Sequence, residues 1–133
     1  MSYNQIGILL GICAVLIILL TWKRIHNPYL KSLWKSGLLA FSLYAVLLMA
    51  VEIRWHYIKA HAESFDLNGN GFVDLNEYSD EALKAMNRVT QDTARGFAFI
   101  TVALLSGIIS FTYLLVDFTV IRLKSKNTRI NYE

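Results

Sequence analysis

Apolar and polar positions alternate in long blocks along this chain. Ile6 to Trp22 is an almost unbroken apolar run, about long enough to cross a bilayer. Lys23 to Lys35 is polar and basic and holds Asn27-Pro28, a turn signal with the only proline. Ser36 to Val51 is a second apolar run and Gly96 to Val116 a third. Between these two the pattern changes. Trp55, Ile58, Ala62 and Phe65 recur at spacings of three and four, as do Ala82, Met86 and Val89, so each set forms one face of a helix. The expected fold is all-α: three transmembrane helices, with an extramembrane helix-loop-helix between the second and third. Residues 1–51 hold the first two helices and a short basic loop, residues 52–95 the extramembrane segment, and residues 96–133 the third helix and a basic, loose tail. No glycine or proline lies between Gly37 and Gly69, so the second helix is expected to run unbroken out of the bilayer. Thr90, Thr93 and Gly96 have low helix propensity, which places a bend at Thr90–Gly96.

Composition agrees with the blocks. Apolar residues make up 55% of the chain and its mean hydropathy is +0.40, the signature of a membrane protein. The first run has no basic residue before it, and Lys23-Arg24 follow it, so it reads as a retained helix and not a signal peptide. Cys13 has no intrachain partner and is expected to act as a small buried hydrophobe. Gly7 and Gly11 form a G-x-x-x-G pair, which serves close packing within the chain or between two copies. Ala103, Ser106, Gly107 and Ser110 place small residues at helix-packing spacing on the third helix. Trp22, Tyr29 and Trp34 fit an interfacial aromatic belt. Asp117, at the end of the third run, is expected at the interface, and His26 in a solvated loop. Glu52 and His56 share a helix face and are expected to pair there.

The polar stretch Asp66-Leu67-Asn68-Gly69-Asn70-Gly71-Phe72-Val73-Asp74-Leu75-Asn76-Glu77 carries the chemistry. Asp66, Asn68 and Asn70 alternate, so their side-chain oxygens can converge as the chain curls. Gly71 permits a sharp turn. These residues at these spacings resemble the calcium loop of the EF-hand family, with acids or amides at loop positions one, three and five, glycine at six and glutamate at twelve. Phe65, Ile58 and Tyr78 also stand where that family places apolar residues. The resemblance implies a Ca2+ site formed by Asp66, Asn68, Asn70, the backbone carbonyl of Phe72, Asp74 (directly or through water) and a bidentate Glu77. Ala62 and Glu81-Ala82 depart from the family's large apolar flanking residues, so the implication stops at the ion and does not extend to a hydrophobic target groove. With three carboxylates facing the ion, affinity is expected on the order of micromolar to millimolar. The family pairs its loops through position eight, here Val73, so a second copy or another such protein is the expected partner for that edge.

The charges give an orientation. The connection after the first helix holds Lys23, Arg24, Lys31 and Lys35 with no acid, and the tail holds Arg122, Lys124, Lys126 and Arg129 against one Glu. Residues 52–95 hold eight acids against five bases. Basic segments stay cytoplasmic. The expected topology, in a plasma or inner membrane, is therefore N-terminus out, loop out and C-terminus in. There is no catalytic metal cluster, nucleophile–base motif or phosphate loop, so an enzyme is not expected. The expected partners are the lipid bilayer and a second copy or another membrane protein, not nucleic acid. Three roles follow: a calcium-responsive sensor or regulatory subunit, a structural calcium staple in a small membrane subunit, or a channel- or transporter-associated oligomer. The third has little support, because the spans carry few polar groups beyond hydroxyls.

Overall fold

The computed structural model describes residues 2–130, and helix is their only regular structure. There are four α-helices: α1 (Tyr3–Thr21), α2 (Pro28–Glu63), α3 (Asp80–Gln91) and α4 (Ala94–Ile130). Three of them, α1, α2 and α4, are long and apolar enough to cross a membrane.

Local chemistry sets the helix ends. Ser2 caps α1 reciprocally: its hydroxyl accepts from the Gln5 N–H at 3.3 Å, and its own N–H donates to Gln5 Oε1 at 3.0 Å. A 3-10 turn at Trp22–Arg24 ends this first segment. Asn27 then caps α2 by accepting from the Tyr29 N–H at 2.9 Å, and Pro28, which has no N–H to lose, takes the first helical position. As expected, α2 runs without a break for 36 residues, about 54 Å, well beyond a hydrocarbon core of about 30 Å. Ser79 caps α3 through the Ala82 N–H at 3.1 Å. The chain leaves the helical path at Asp92 (φ −77°, ψ 54°) and re-enters it at Ala94, within the stretch expected to bend.

The tail differs from expectation. It continues α4 to Ile130 instead of loosening, because no glycine or proline follows Gly107 and nothing else stops the helix. Its last three residues, 131–133, with the tail's single Glu, lie outside the described residues.

Helix α2 is the centre, with α1 and α4 packed along it. Gly7 and Gly11 are both buried against it. A methyl group at Gly7 would stand 2.6 Å from Tyr44 Oη and 2.7 Å from Leu48 Cδ1, and one at Gly11 would stand 3.1 Å from Ala45 Cβ. The G-x-x-x-G face is thus used inside the chain. On the other side of α2, Ser36 and Ser110 clasp each other. Ser36 Oγ donates to the Ser110 carbonyl at 2.9 Å, Ser110 Oγ donates to the Ser36 carbonyl at 2.6 Å, and the hydroxyls are 2.7 Å apart. Ser106, one turn away, is buried too, whereas Ala103 and Gly107 of the same expected stripe are exposed. Cys13 is also exposed, on the outer side of α1, and not buried as expected. Leucines and isoleucines such as Leu10, Leu20, Leu104 and Ile108 cover the outside; a lipid-facing surface has that character.

Two polar levels bracket this body. At one end Trp34 Nε1 donates to Thr21 Oγ1 at 2.9 Å. At the other, Glu52 meets Asn4 and Arg95. Eighteen residues separate Trp34 from Glu52, about 27 Å of helix, close to the thickness of a hydrocarbon core.

Candidate metal site

Beyond Glu52, α2 continues for three turns and carries the loop at its tip. Trp55, Ile58, Ala62 and Phe65 are half-buried while most of their neighbours are exposed, as the spacing predicts. The face of α3 also follows its spacing, with Ala82 buried and Met86 and Val89 half-buried. Its buried residues are Ala82 and Ala85, while Met86 and Val89 line a groove of about 630 Å³ with Ala62 and Phe72. Trp55 lies under the Arg95 guanidinium, 4.4 Å from the ring centre, a cation–π contact.

The loop turns on Gly69 (φ 69°) and Gly71 (φ 90°), the only residues with positive φ among those described. A side chain is strained in that region. Around them the acidic side chains hold the backbone. Asp66 Oδ1 accepts from the Gly69 N–H at 2.9 Å and the Asn70 N–H at 3.2 Å, and Oδ2 from the Gly71 N–H at 2.7 Å. Glu77 reaches back across the loop. Its Oε1 accepts from the Leu67 and Asn68 N–H groups at 3.0 and 3.1 Å, and Oε2 from the Asp74 N–H at 3.0 Å. Asp74 Oδ2 accepts from Asn68 Nδ2 at 2.9 Å and Asn70 Nδ2 at 2.8 Å.

The structure therefore gathers Asn68, Asn70 and Asp74 directly, and ties Asp66 and Glu77 to the same ring through its backbone. Phe72 is 75% exposed and donates its N–H to Asn70 Oδ1 at 2.8 Å. Glu77 ends a short 3-10 turn (Leu75–Glu77), separated from α3 by Tyr78 and Ser79.

For a divalent cation the fit is one of donor chemistry. Every candidate side chain offers a hard oxygen, the ligand type calcium takes. No three of the described His, Cys, Asp and Glu side chains stand together as a ready metal-holding group. The carboxylate oxygens now accept N–H groups, and the two asparagines turn their Nδ2 atoms toward Asp74. Asn68 and Asn70 would have to reverse their amides to present oxygen there.

Beneath the loop lies a cluster that the linear pattern did not announce. Glu52 Oε1 accepts from Asn4 Nδ2 at 3.0 Å and Ser2 Oγ at 3.3 Å, and both its oxygens lie 3.4 Å from Arg95 Nη2. Asn4 also donates to the Arg95 carbonyl at 3.2 Å. Glu52 was expected to pair with His56. It turns inward instead, because Arg95 offers a full positive charge in a part-buried place where charge pairing is worth more than on a helix surface. His56 stays exposed beside Tyr57. The only trace of this cluster in the sequence is that Asn4, Glu52 and Arg95 each sit within two residues of the end of an apolar run.

No protein-family model, curated protein or solved structure matches this chain. The likeness to the EF-hand family stays with the loop residues themselves.

Proposed function

We propose that this protein is a calcium-binding integral membrane protein, a sensor or regulatory subunit in which Asp66, Asn68, Asn70, the Phe72 carbonyl, Asp74 and Glu77 take Ca2+ at the tip of a membrane helix. The observation that carries this is the loop itself. Its acid and amide side chains all turn onto one short ring, and both glycines that allow the ring are present in the required backbone region. Bound calcium would supply the positive charge that the three loop carboxylates lack.

The connections on the two sides of the loop support a responsive role. The entering side is one unbroken helix, and a moving loop cannot flex it locally. The exiting side breaks at Asp92–Thr93, two residues before Arg95. A shift of α3 would therefore act on Arg95, which holds α1 through Asn4 and α2 through Glu52 and Trp55. EF-hand sensors open from about 130–140° to about 90–100°, whereas buffers barely open, and neighbouring spans cross within about 20–40°. Movement of α3 alone reconciles these limits. The structural-staple reading has its own support, since both oxygens of Asp66 and of Glu77 already shape the loop through backbone N–H groups.

The test is thermal. Calcium should raise the melting temperature, and Glu77→Gln should abolish or strongly reduce that rise. A variant that responds like the parent removes Glu77 from the site. Spin labels at Lys59 and Lys84 then separate the roles: a calcium-dependent change in distance belongs to the sensor, and an unchanged distance with bound calcium to the staple.

The proposed topology places the N-terminus and loop outside and the C-terminus in the cytoplasm. A cysteine introduced at Ser79, in a chain whose Cys13 is replaced by serine, should react with an impermeant reagent in intact cells. One at Ser125 should not, and the reverse pattern inverts the topology.

A further inference from the structure

The first and last membrane-length helices meet at one end only. Near the loop side, Tyr3 stacks on Phe99 with ring centres 5.4 Å apart, and Asn4 donates to the Arg95 carbonyl at 3.2 Å. Toward the C-terminal end of α1 they are separated by a cleft of about 350 Å³, within the usual range of about 300–1,000 Å³ for ligand sites. Ile18 of α1 forms one wall and Ser110 of α4 the other; Leu33, Trp34, Gly37 and Phe41 of α2 form the floor. Leu33 and Phe41 remain 44% and 41% exposed, so the floor is open to whatever surrounds the helices.

The polar atoms lining this cleft are already committed. Ser36 and Ser110 donate to each other's carbonyls. The Trp34 indole N–H donates to Thr21, whose hydroxyl lies 2.7 Å from the Ile17 carbonyl. A polar ligand would find no partner and would lose its own hydration. A hydrocarbon chain loses nothing. Lys23 and Arg24 lie just past the end of α1, in the 3-10 turn that follows Thr21. Both are exposed, and neither pairs with a carboxylate among the described residues.

We propose that this cleft holds one acyl chain of an anionic phospholipid, with the lipid's phosphate against Lys23 and Arg24. Gly37 makes the room: a methyl group built there already meets Ile18 Cδ1 at 3.4 Å, so a larger side chain would occupy the cleft. The proposal rests on the membrane reading above and is independent of calcium.

The test uses the full chain, purified in detergent and offered phosphatidylglycerol or phosphatidylcholine before native mass spectrometry. The parent should retain one phosphatidylglycerol under conditions that strip phosphatidylcholine. Gly37→Leu should lose that retention with helicity and melting unchanged. The paired change Lys23→Gln, Arg24→Gln touches only exposed side chains and should weaken retention on the order of tenfold. Equal retention of the two lipids overturns the proposal, as does phosphatidylglycerol retention that the charge-removing pair leaves unaltered. If Gly37→Leu fails to fold, the charge-removing pair decides alone; if it folds and still retains the lipid, the cleft is not the site. Carbonate washing of the membrane fraction tests the underlying reading separately. Release into the wash ends the membrane reading, while a protein that stays in the pellet yet retains no lipid ends only this proposal.

Discussion

A methyl group built at Gly7 would crowd Tyr44 and Leu48 at 2.6 and 2.7 Å, whereas one built at Gly69 or Gly71 would meet nothing within 4 Å. The same residue type serves opposite ends in two regions of one chain. In the packed helices, glycine and serine let backbones approach, and the contact surface itself holds the structure. In the loop, glycine supplies backbone conformation and N–H donors to Asp66, with no close packing around it. The loop buries almost nothing; its shape depends on acid side chains bonded to N–H groups in water. A region built in the first way responds to changes of volume. One built in the second way responds to changes of charge, which makes it the part that the proposed calcium ion would control.

Substitutions that exchange these sensitivities test the comparison. The largest effect is expected from Gly7→Leu, which forces α1 away from α2 at a cost of about 3 kcal/mol or more. The melting temperature should fall steeply. Any calcium response that survives should keep its midpoint, since Gly7 is far from the loop. A calcium midpoint that moves with Gly7→Leu would show that the two regions are not separate.

Glu52→Ala comes next, because it strips Arg95, Asn4 and Ser2 of a shared acceptor in a part-buried place. A loss of about 2 kcal/mol is expected. The contrast is Lys59→Ala, which breaks a pair with Glu63 at 3.3 Å whose side chains are 57% and 63% exposed, and which should change stability by no more than about 0.5 kcal/mol. Equal effects from these two changes would mean that the inner ion pair gains nothing from its setting.

A smaller effect is expected from Ser36→Ala. Hydrogen bonds between membrane helices are worth about 0.6 kcal/mol on average. Alanine also fits the close approach of α2 and α4, so the loss should stay below about 1 kcal/mol. A double-mutant cycle with Ser110→Ala measures the coupling directly.

Much of the architecture was legible because it depends on runs and spacings. Apolar runs long enough for a bilayer predicted the three long helices. The absence of any break from Gly37 to the loop predicted that α2 would continue past its apolar run without interruption. Thr90, Thr93 and Gly96 marked where the chain re-enters α4, and the alternation of Asp66, Asn68 and Asn70 around two glycines marked the ring. All of these are local: neighbours in sequence settle them through propensity, capping and backbone freedom.

What only the tertiary structure decided involves pairs far apart in the chain. Gly7 and Gly11 served either intrachain or intermolecular packing until α2 was seen to occupy their face. Among four small residues on α4, only Ser106 and Ser110 turned out to be buried, because helix rotation is set by the partner surface and not by the stripe. Glu52 chose Arg95, 43 residues away, over His56 on its own helix, since strong pairing needs a charge brought into the same part-buried place. The cleft between Ile18 and Ser110 exists only because α1 and α4 touch at one end, and residue type alone carries no record of that angle.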